Sequence, residues 1–530
     1  MTIRTGAALV LAATLLGVAT MPMRVGAQQS ELSGLDAYVD KAMREWQVPG
    51  LAISVVRNDS VVLAKGYGVR ELGKPERVDE HTLFAIGSCS KAFGSATVAM
   101  LVHDGKVRLD DRVQQYLPWL QLWDPWVTHE VRVRDLLAHR VGTPYTIENR
   151  LRVISLDYRD VIRRSRYMQP IAPFRDRYVY SNTMYIIAGE VVKEVSGMAS
   201  WNDFVRDRIW VPLGMNRTNA NILTARGTAN KAMPHALIDG KLEAYEWEYA
   251  DSLGSPSGGI NSTAWDMAQW LRFQLGEGRF GGRQLIGTDL FREMHTPHSP
   301  GRSSARTGSP MISDETAPRF VAYGLGWLVQ DYRGKKMVHH SGGASGFVCQ
   351  QALLPEERLG VYVGTSASGL PEALMYWVFD AYLGAPRRDW SAIRLATSRH
   401  AEEESQRVVD QRNAARIKGT KPALPLEGYG GVYDDGGAYG EATVTMKDGK
   451  LVLRIGRLSG ALEHWHHDTF LIPPFSWLRS GDPLDPARKR RAYGGMPPVG
   501  EHTFVTFVLD PSGKVDEMKV EGIAAFKRMR

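Results

Sequence analysis

The chain reads as an α/β fold of the α+β sandwich type. A central antiparallel sheet has flanking helices and a helical insertion, and a separate all-β, barrel-like domain follows at the C-terminus. Three patterns predict this. Short β-rich runs lie at both ends of residues 28–386, with a long helix-patched region between them. Composition shifts near residue 387 to a charge-rich stretch that ends in Pro422 and Pro425. Residues 426–530 then alternate apolar and polar positions between turn signals, the pattern of a small barrel or curved sheet.

Taken in order, residues 1–27 have a positive start at Arg4, an apolar stretch over 7–20 and small residues Val25-Gly26-Ala27 before Gln28. This predicts a secretory leader, cleaved to leave a periplasmic or secreted protein. The apolar run is shorter than the ~20 residues of a membrane-spanning helix, and no later stretch is long enough for one. Helical spacing over 35–46 ends before Pro49-Gly50, and runs 51–56 and 61–66 flank a hairpin signal at Arg57-Asn58-Asp59-Ser60. Strands are expected near 321–330, 336–340, 346–354 and 359–365, and a closing helix over 370–383. Residues 387–425 read as a charged helical linker. In the last domain, 442–446 and 451–455 flank the turn Lys447-Asp448-Gly449-Lys450, and 503–509 and 515–520 flank Pro511-Ser512-Gly513.

At 530 residues the chain is long enough for two or three domains. Its formal charge of +7 suits an anionic surface, yet lysine and arginine are spread evenly and no basic–aromatic cluster suggests nucleic acid. Two cysteines, Cys89 and Cys349, are too few for a disulfide scaffold, and two free thiols are favoured over a single bridge. No P-loop, dinucleotide fingerprint, H-E-x-x-H or G-x-S-x-G is present. His464-x-His466-His467 lacks the cysteines or carboxylates of a metal site and reads as strand-surface histidines. No metal and no cofactor is expected.

Three short segments carry the chemistry. Ser88-Cys89-Ser90-Lys91 is the one S-x-x-K of the chain, and it opens a helix-like run over 92–102. Positions i and i+3 share a helix face, so Lys91 can stand beside the Ser88 hydroxyl and take its proton. The plainer readings are a helix cap for Ser88 and a solvated amine for Lys91. Tyr180-Ser181-Asn182 precedes a helix-like run over 184–195. Tyr180 can relay protons and Asn182 can orient the amine or a carbonyl; the alternatives are a core tyrosine and a helix cap. His340-Ser341-Gly342-Gly343 follows a short β-prone stretch, 336–338, and is expected to open a turn whose glycines admit close backbone approach.

The order S-x-x-K, Y-x-N, [KH]-[ST]-G resembles the penicillin-recognising serine hydrolases: class C β-lactamases, D-alanyl-D-alanine peptidases, D-aminopeptidases and β-lactamase-like esterases. Further segments add to the likeness. Asp135-Leu136-Leu137-Ala138-His139-Arg140-Val141-Gly142-Thr143-Pro144 resembles "LLxHxSGLP", with Arg-Val at the usual small pair. Trp210-Val211-Pro212-Leu213-Gly214-Met215, Gly258-Gly259-Ile260-Asn261-Ser262-Thr263 with Asp266, and Tyr323-Gly324-Leu325-Gly326-Trp327 resemble "PLGM", "GGxxST..D" and "YGLGW".

The resemblance implies Ser88 as nucleophile, with Lys91 or Tyr180 as its base, and Tyr180 serving the leaving group and the deacylating water. It implies Asn182, His340, Ser341 and Gly342 as substrate-binding, and the backbone N–H groups of Ser88 and Gly343 as an oxyanion hole. The last domain resembles the lipocalin-like accessory domain of some such hydrolases. His340 stands where class C enzymes carry lysine. A histidine only partly charged near neutral pH implies weaker, pH-dependent recognition of a substrate carboxylate. Peptide amides, including D-amino-acid peptides of cell walls, or small esters are therefore expected ahead of β-lactams as substrates. A catalytically silent envelope protein is the reading from another class.

Overall fold

A computed structural model describes residues 31–143, 157–238, 241–247, 256–301, 316–344, 346–367, 369–472 and 503–529. The leader expected at 1–27 lies outside them. No described helix is long and apolar enough to cross a membrane.

The hairpin of β1 (Gly50–Arg57) and β2 (Ser60–Gly68) opens the sheet. Asn58 and Asp59 both take positive φ, 49° and 65°, as a two-residue turn matched to strand twist requires. Inside the insertion, β3 (Phe84–Ala85) pairs with β6 (Asn261–Ser262), β4 (His235–Ile238) with β5 (Lys241–Ala244), and β7 (Arg279–Phe280) with β8 (Arg283–Gln284). The chain returns through β9 (Ser299–Pro300), β10 (Val321–Tyr323), β11 (Leu328–Tyr332), β12 (Lys335–Ala344), β13 (Phe347–Leu354) and β14 (Leu359–Thr365). The eight-stranded order is β2-β1-β14-β13-β12-β11-β10-β9, with antiparallel neighbours. Strands from both ends of the domain thus meet at β1 and β14.

Alternation along β1 shows why the run is apolar at nearly every position. Leu51, Ile53 and Val55 face a core with the helices Leu35–Trp46 and Pro371–Tyr382, while Ala52 and Val56 face the insertion. A sheet covered on both faces leaves no solvent side. The insertion's helix Ala264–Leu275 lies against β1, β2 and β14, while its central helices, Ser90–His103 and Asn182–Ser196, pack together and are buried along most of their length.

Two expectations need correction. The run 321–330 is two strands, divided by the turn at residues 324–327. His340-Ser341-Gly342-Gly343 does not open a turn: β12 continues to Ala344, paired with β13 through Gly343 opposite Val348. The glycines there serve close approach to a neighbouring segment instead of chain reversal.

Beyond the sheet, the helix Trp390–Ala414 is anchored at its start and exposed along its middle. Buried Asp380 accepts from Tyr332 Oη at 2.6 Å, Arg333 Nε at 2.7 Å and Trp390 Nε1 at 2.9 Å, joining β11 to this helix. At its far end Arg412 pairs with Glu521, and Arg416 Nε donates to the Trp465 carbonyl. There the chain enters a closed eight-stranded barrel. Its strands are β15 (Gly431–Asp434), β16 (Glu441–Lys447), β17 (Lys450–Ile455), β18 (Leu458–His466), β19 (Thr469–Ile472), β20 (Thr503–Leu509), β21 (Val515–Val520) and β22 (Ala524–Arg528). Buried rings of Tyr429, Tyr433, Phe470 and Phe507 cluster within it at 4.9–6.1 Å. Arg164 of the insertion donates to the Ala438 carbonyl of the barrel at 2.7 Å.

Removing the Asp380 carboxylate strands a half-buried guanidinium, a buried phenol and a buried indole together. Asp380→Ala should therefore lower stability by about 3 kcal/mol, read from the urea midpoint; a change within 0.5 kcal/mol of zero, roughly the size of an ordinary surface substitution, would refute this anchoring role.

Candidate active site

Strand β3 delivers the chain into a short 3₁₀ turn, Gly87–Cys89, which runs on into the helix Ser90–His103. β3 is held by β6, whose flanks are tied down in turn. The Ser90 hydroxyl accepts from the Ile260 N–H, Thr263 caps the helix Ala264–Leu275, and Asp266 accepts from Arg217 N–H and Thr218 Oγ1. The segment resembling "GGxxST..D" is thus scaffolding for the turn that carries Ser88.

That turn lies directly against β12. Gly87 has φ 47°, and a Cβ on it would stand 2.5 Å from the Gly343 carbonyl oxygen. A Cβ on Gly342 would stand 2.0 Å from the Ile86 carbonyl oxygen. Only glycine at both places lets the two backbones touch. The Gly343 peptide consequently lies beside the residue that precedes Ser88.

Two side chains converge on the Ser88 oxygen. Tyr180 Oη donates to Ser88 Oγ at 2.7 Å, and Lys91 Nζ stands 3.2 Å from the same oxygen. Lys91 is fully buried, and it donates to Asn182 Oδ1 at 2.7 Å and to the Ser257 carbonyl at 2.6 Å. Its Nζ also lies 4.6 Å from the centre of the Tyr180 ring and 5.5 Å from that of Tyr185. Asn182 Oδ1 and a peptide carbonyl can only accept. They fix two N–H bonds of Lys91, so its remaining sp³ position, a proton or a lone pair, is directed at Ser88. As an amine it is a base for Ser88; as an ammonium it favours the Tyr180 phenolate or the Ser88 alkoxide.

The plainer readings of these residues do not match the geometry. Ser88 caps nothing, since the helix Ser90–His103 has no side-chain cap. Asn182 is the first residue of the helix Asn182–Ser196, and the cap is Ser181, whose hydroxyl accepts from the Met184 N–H. Lys91 is buried, not solvated.

His340 sits on β12 with its ring 6.4 Å from that of Tyr180. Its Nδ1 lies 2.6 Å from the Ser341 carbonyl, which can only accept, so Nδ1 carries the proton and Nε2 accepts from Tyr323 Oη at 3.0 Å. Burial, reinforced by the charge of Lys91, pushes His340 down to about 3. The expected partial charge near neutral pH is therefore corrected: His340 is a neutral residue throughout that range. Ser341 and Gly343 are exposed along the same strand and Gly342 is buried. His339, pointing the opposite way, bridges Gln330 and Gln350.

Residues 35–382 match the family model described as Beta-lactamase. The chain belongs to the β-lactamase family. Members of this family are serine hydrolases. Residues 415–529 match a domain of unknown function (DUF3471). This β-lactamase-family chain is 29% identical over 453 residues to an unguisins hydrolase of Aspergillus violaceofuscus, spanning 78% of this chain and 76% of that protein. It is 32% identical over 377 residues to an unguisins hydrolase of Aspergillus campestris, spanning 67% and 66%. The octameric penicillin-binding protein homologue from Pyrococcus abyssi shares its fold, with a TM-score of 0.60 and 21% identity over 94% of this chain and all of that one.

His139 lies in the segment resembling "LLxHxSGLP" and has no part assignable from the sequence alone. It is fully buried, its Nδ1 accepts from the Ser181 N–H, and its ring lies 4.4 Å from that of Tyr180 and 4.6 Å from that of Tyr323. It thereby positions the peptide that follows Tyr180. The Arg140 departure also has a local reason: buried Asp135 accepts from both Arg140 Nε and Arg175 Nη2. The Ser257 carbonyl was not foreseeable, because a backbone acceptor leaves no residue-type signal. Among the described residues no cluster of His, Cys, Asp or Glu has the makings of a metal site.

Three buried histidines set an acid limit on this family member. His295 and His340 are each pushed down to about 3 and His139 well below its usual value, all chiefly by burial. Unfolded histidines titrate near 6.5, so between about 3 and 6.5 the unfolded chain binds more protons than the folded one. Stability should rise with pH across that window and fall on acidification, by up to about 1.4 kcal/mol per pH unit for each histidine. Urea unfolding at pH 5 and pH 7.5 checks the slope, which His295→Gln should flatten by one proton.

Proposed function

We propose that this protein is an exported serine hydrolase that forms an acyl-enzyme on Ser88 from a peptide amide or small ester. The observation that carries the reading is a single hydroxyl, Ser88 Oγ, within 2.7 Å of a phenol and 3.2 Å of a buried amine. In acylation the Ser88 proton passes to Lys91 or Tyr180 as Oγ attacks the carbonyl carbon. The oxyanion forms against the N–H groups of Ser88 and Gly343, and Tyr180 returns a proton to the leaving group. Water then attacks the ester with the same groups acting in reverse.

His340 bears on which substrates enter. Its two nitrogens are committed to Ser341 and Tyr323, and burial keeps it neutral. It offers no cation to a carboxylate beside the scissile bond. Amides and esters without that carboxylate are the substrates this arrangement favours, and both unguisins relatives are named as hydrolases. D-amino-acid peptides of cell walls remain within the class where the bond cut has no free carboxylate beside it, and β-lactams, which carry the carboxylate, stand lower. The leader at 1–27 is the basis for export to the periplasm or the exterior.

Intact-mass analysis after exposure to a fluorophosphonate should show one adduct, absent in Ser88→Ala; an equal adduct in that variant overturns the reading. Tyr180→Phe and Lys91→Met should each lower kcat/KM for a p-nitrophenyl ester by ~10²–10⁴, with folding unchanged by circular dichroism. Relative kcat/KM for the ester against a chromogenic cephalosporin should favour the ester, and the reverse preference would establish the β-lactamase reading. A chain that gives no adduct and turns over neither substrate would be the silent envelope protein.

A further inference from the structure

We infer that Cys89 and Cys349 are a covalent modification site, a disulfide that joins the Ser88 turn to strand β13. The two residues lie 260 positions apart, yet their sulfurs meet at 3.1 Å in the core, and both are thiols in this structure. Cys89 Sγ donates to the His340 carbonyl at 3.2 Å, and Cys349 Sγ donates to the Ile86 carbonyl at 2.8 Å. Each sulfur therefore already points across the seam between the turn and the sheet. Closing to a bridge requires movement of about 1 Å, toward the ~2.05 Å of an S–S bond.

The surroundings hold the pair in place. Cys349 stands opposite Gly342 in register, and a Cβ on Gly342 would lie 2.6 Å from its sulfur. Buried Gln351 donates to the Cys89 carbonyl at 3.0 Å and accepts from Trp270 Nε1 at 3.0 Å, fixing the backbone on both sides of the pair. The Ile86 carbonyl also accepts from the Cys89 N–H, so it keeps a partner when the thiol proton leaves.

The reaction is thiol–disulfide exchange with a small disulfide oxidant, such as oxidised glutathione. One cysteine thiolate attacks it, forming a mixed disulfide and releasing one thiol. The second thiolate attacks the protein-side sulfur, the S–S bond forms, and a second thiol leaves. Two protein S–H bonds become one S–S bond, and the oxidant takes both electrons and both protons. Burial of Cys89 and Cys349 dates this exchange to folding, before the turn docks, and afterwards shields the bridge from reductant. The product covalently holds the same contact that sets Ser88 beside the Gly343 peptide. It requires no turnover by Ser88, so it stands or falls separately from the hydrolase reading.

The test refolds the full chain from the reduced, denatured state in a glutathione buffer with oxidised glutathione in excess, then unfolds it in N-ethylmaleimide without reductant. The expected product carries no maleimide, is lighter than the reduced chain by two hydrogens, and yields a Cys89–Cys349 peptide pair on non-reducing digestion. Ser88→Ala should give the same result. Because the bridge closes a long loop, oxidatively refolded protein should melt several degrees above reductively refolded protein, a difference absent in Cys349→Ala. Two maleimides per chain, or glutathione retained on either cysteine, would overturn the proposal; the mass readout on the unaltered chain needs no variant to fold.

Discussion

A lysine without access to water governs the arrangement of this molecule's centre. An amine as buried as Lys91 has to be met by fixed acceptors, and the acceptors come from distant parts of the chain: Asn182 at the start of one helix and Ser257 beside the second strand pair. Satisfying them aligns the helices Ser90–His103 and Asn182–Ser196 and leaves one direction of the nitrogen for Ser88. The aromatic faces of Tyr180 and Tyr185 close the remaining sides. The burial that hides the amine from water also demands the partners that orient it.

Around that centre the chain resolves a conflict between reactivity and packing by using backbone where side chains would not fit. Gly87 and Gly342 remove the two Cβ atoms that would separate the Ser88 turn from β12. The neighbouring histidine is kept neutral by burial and by the charge of Lys91, which together outweigh the hydrogen bond to the Ser341 carbonyl. His340 therefore adds no positive charge to the site, and β12 presents a neutral side chain there, which bears on substrate choice more than on the chemical step.

Much of this was legible in the primary structure. The helix at Leu35–Trp46, the first hairpin, the barrel's paired strands and the two-ended sheet all carried periodicity or turn signals that survive in the fold. The three active-site segments were legible through their order, S-x-x-K, Y-x-N and [KH]-[ST]-G, which resembles one family, whereas each alone also fits a plainer structural part. What escaped depended on three-dimensional context. Whether His340 is charged turns on its enclosure and on Tyr323, which lies in a separate strand. The continuation of β12 through two glycines defeats a rule that treats Ser-Gly-Gly as punctuation, because pairing with β13 overrides local preference. Cys89 and Cys349 gave no hint of contact beyond each lying near a motif.

The ring cluster inside the C-terminal barrel has its own implication. Tyr429, Tyr433, Phe470 and Phe507 pack ring against ring in the described part of the barrel's interior. Arg164 meets the barrel from outside at the Ala438 carbonyl, so the contact that ties it to the insertion is separate from the rings that hold it together. Surface exchange between related chains could thus retune this module without disturbing what keeps it upright.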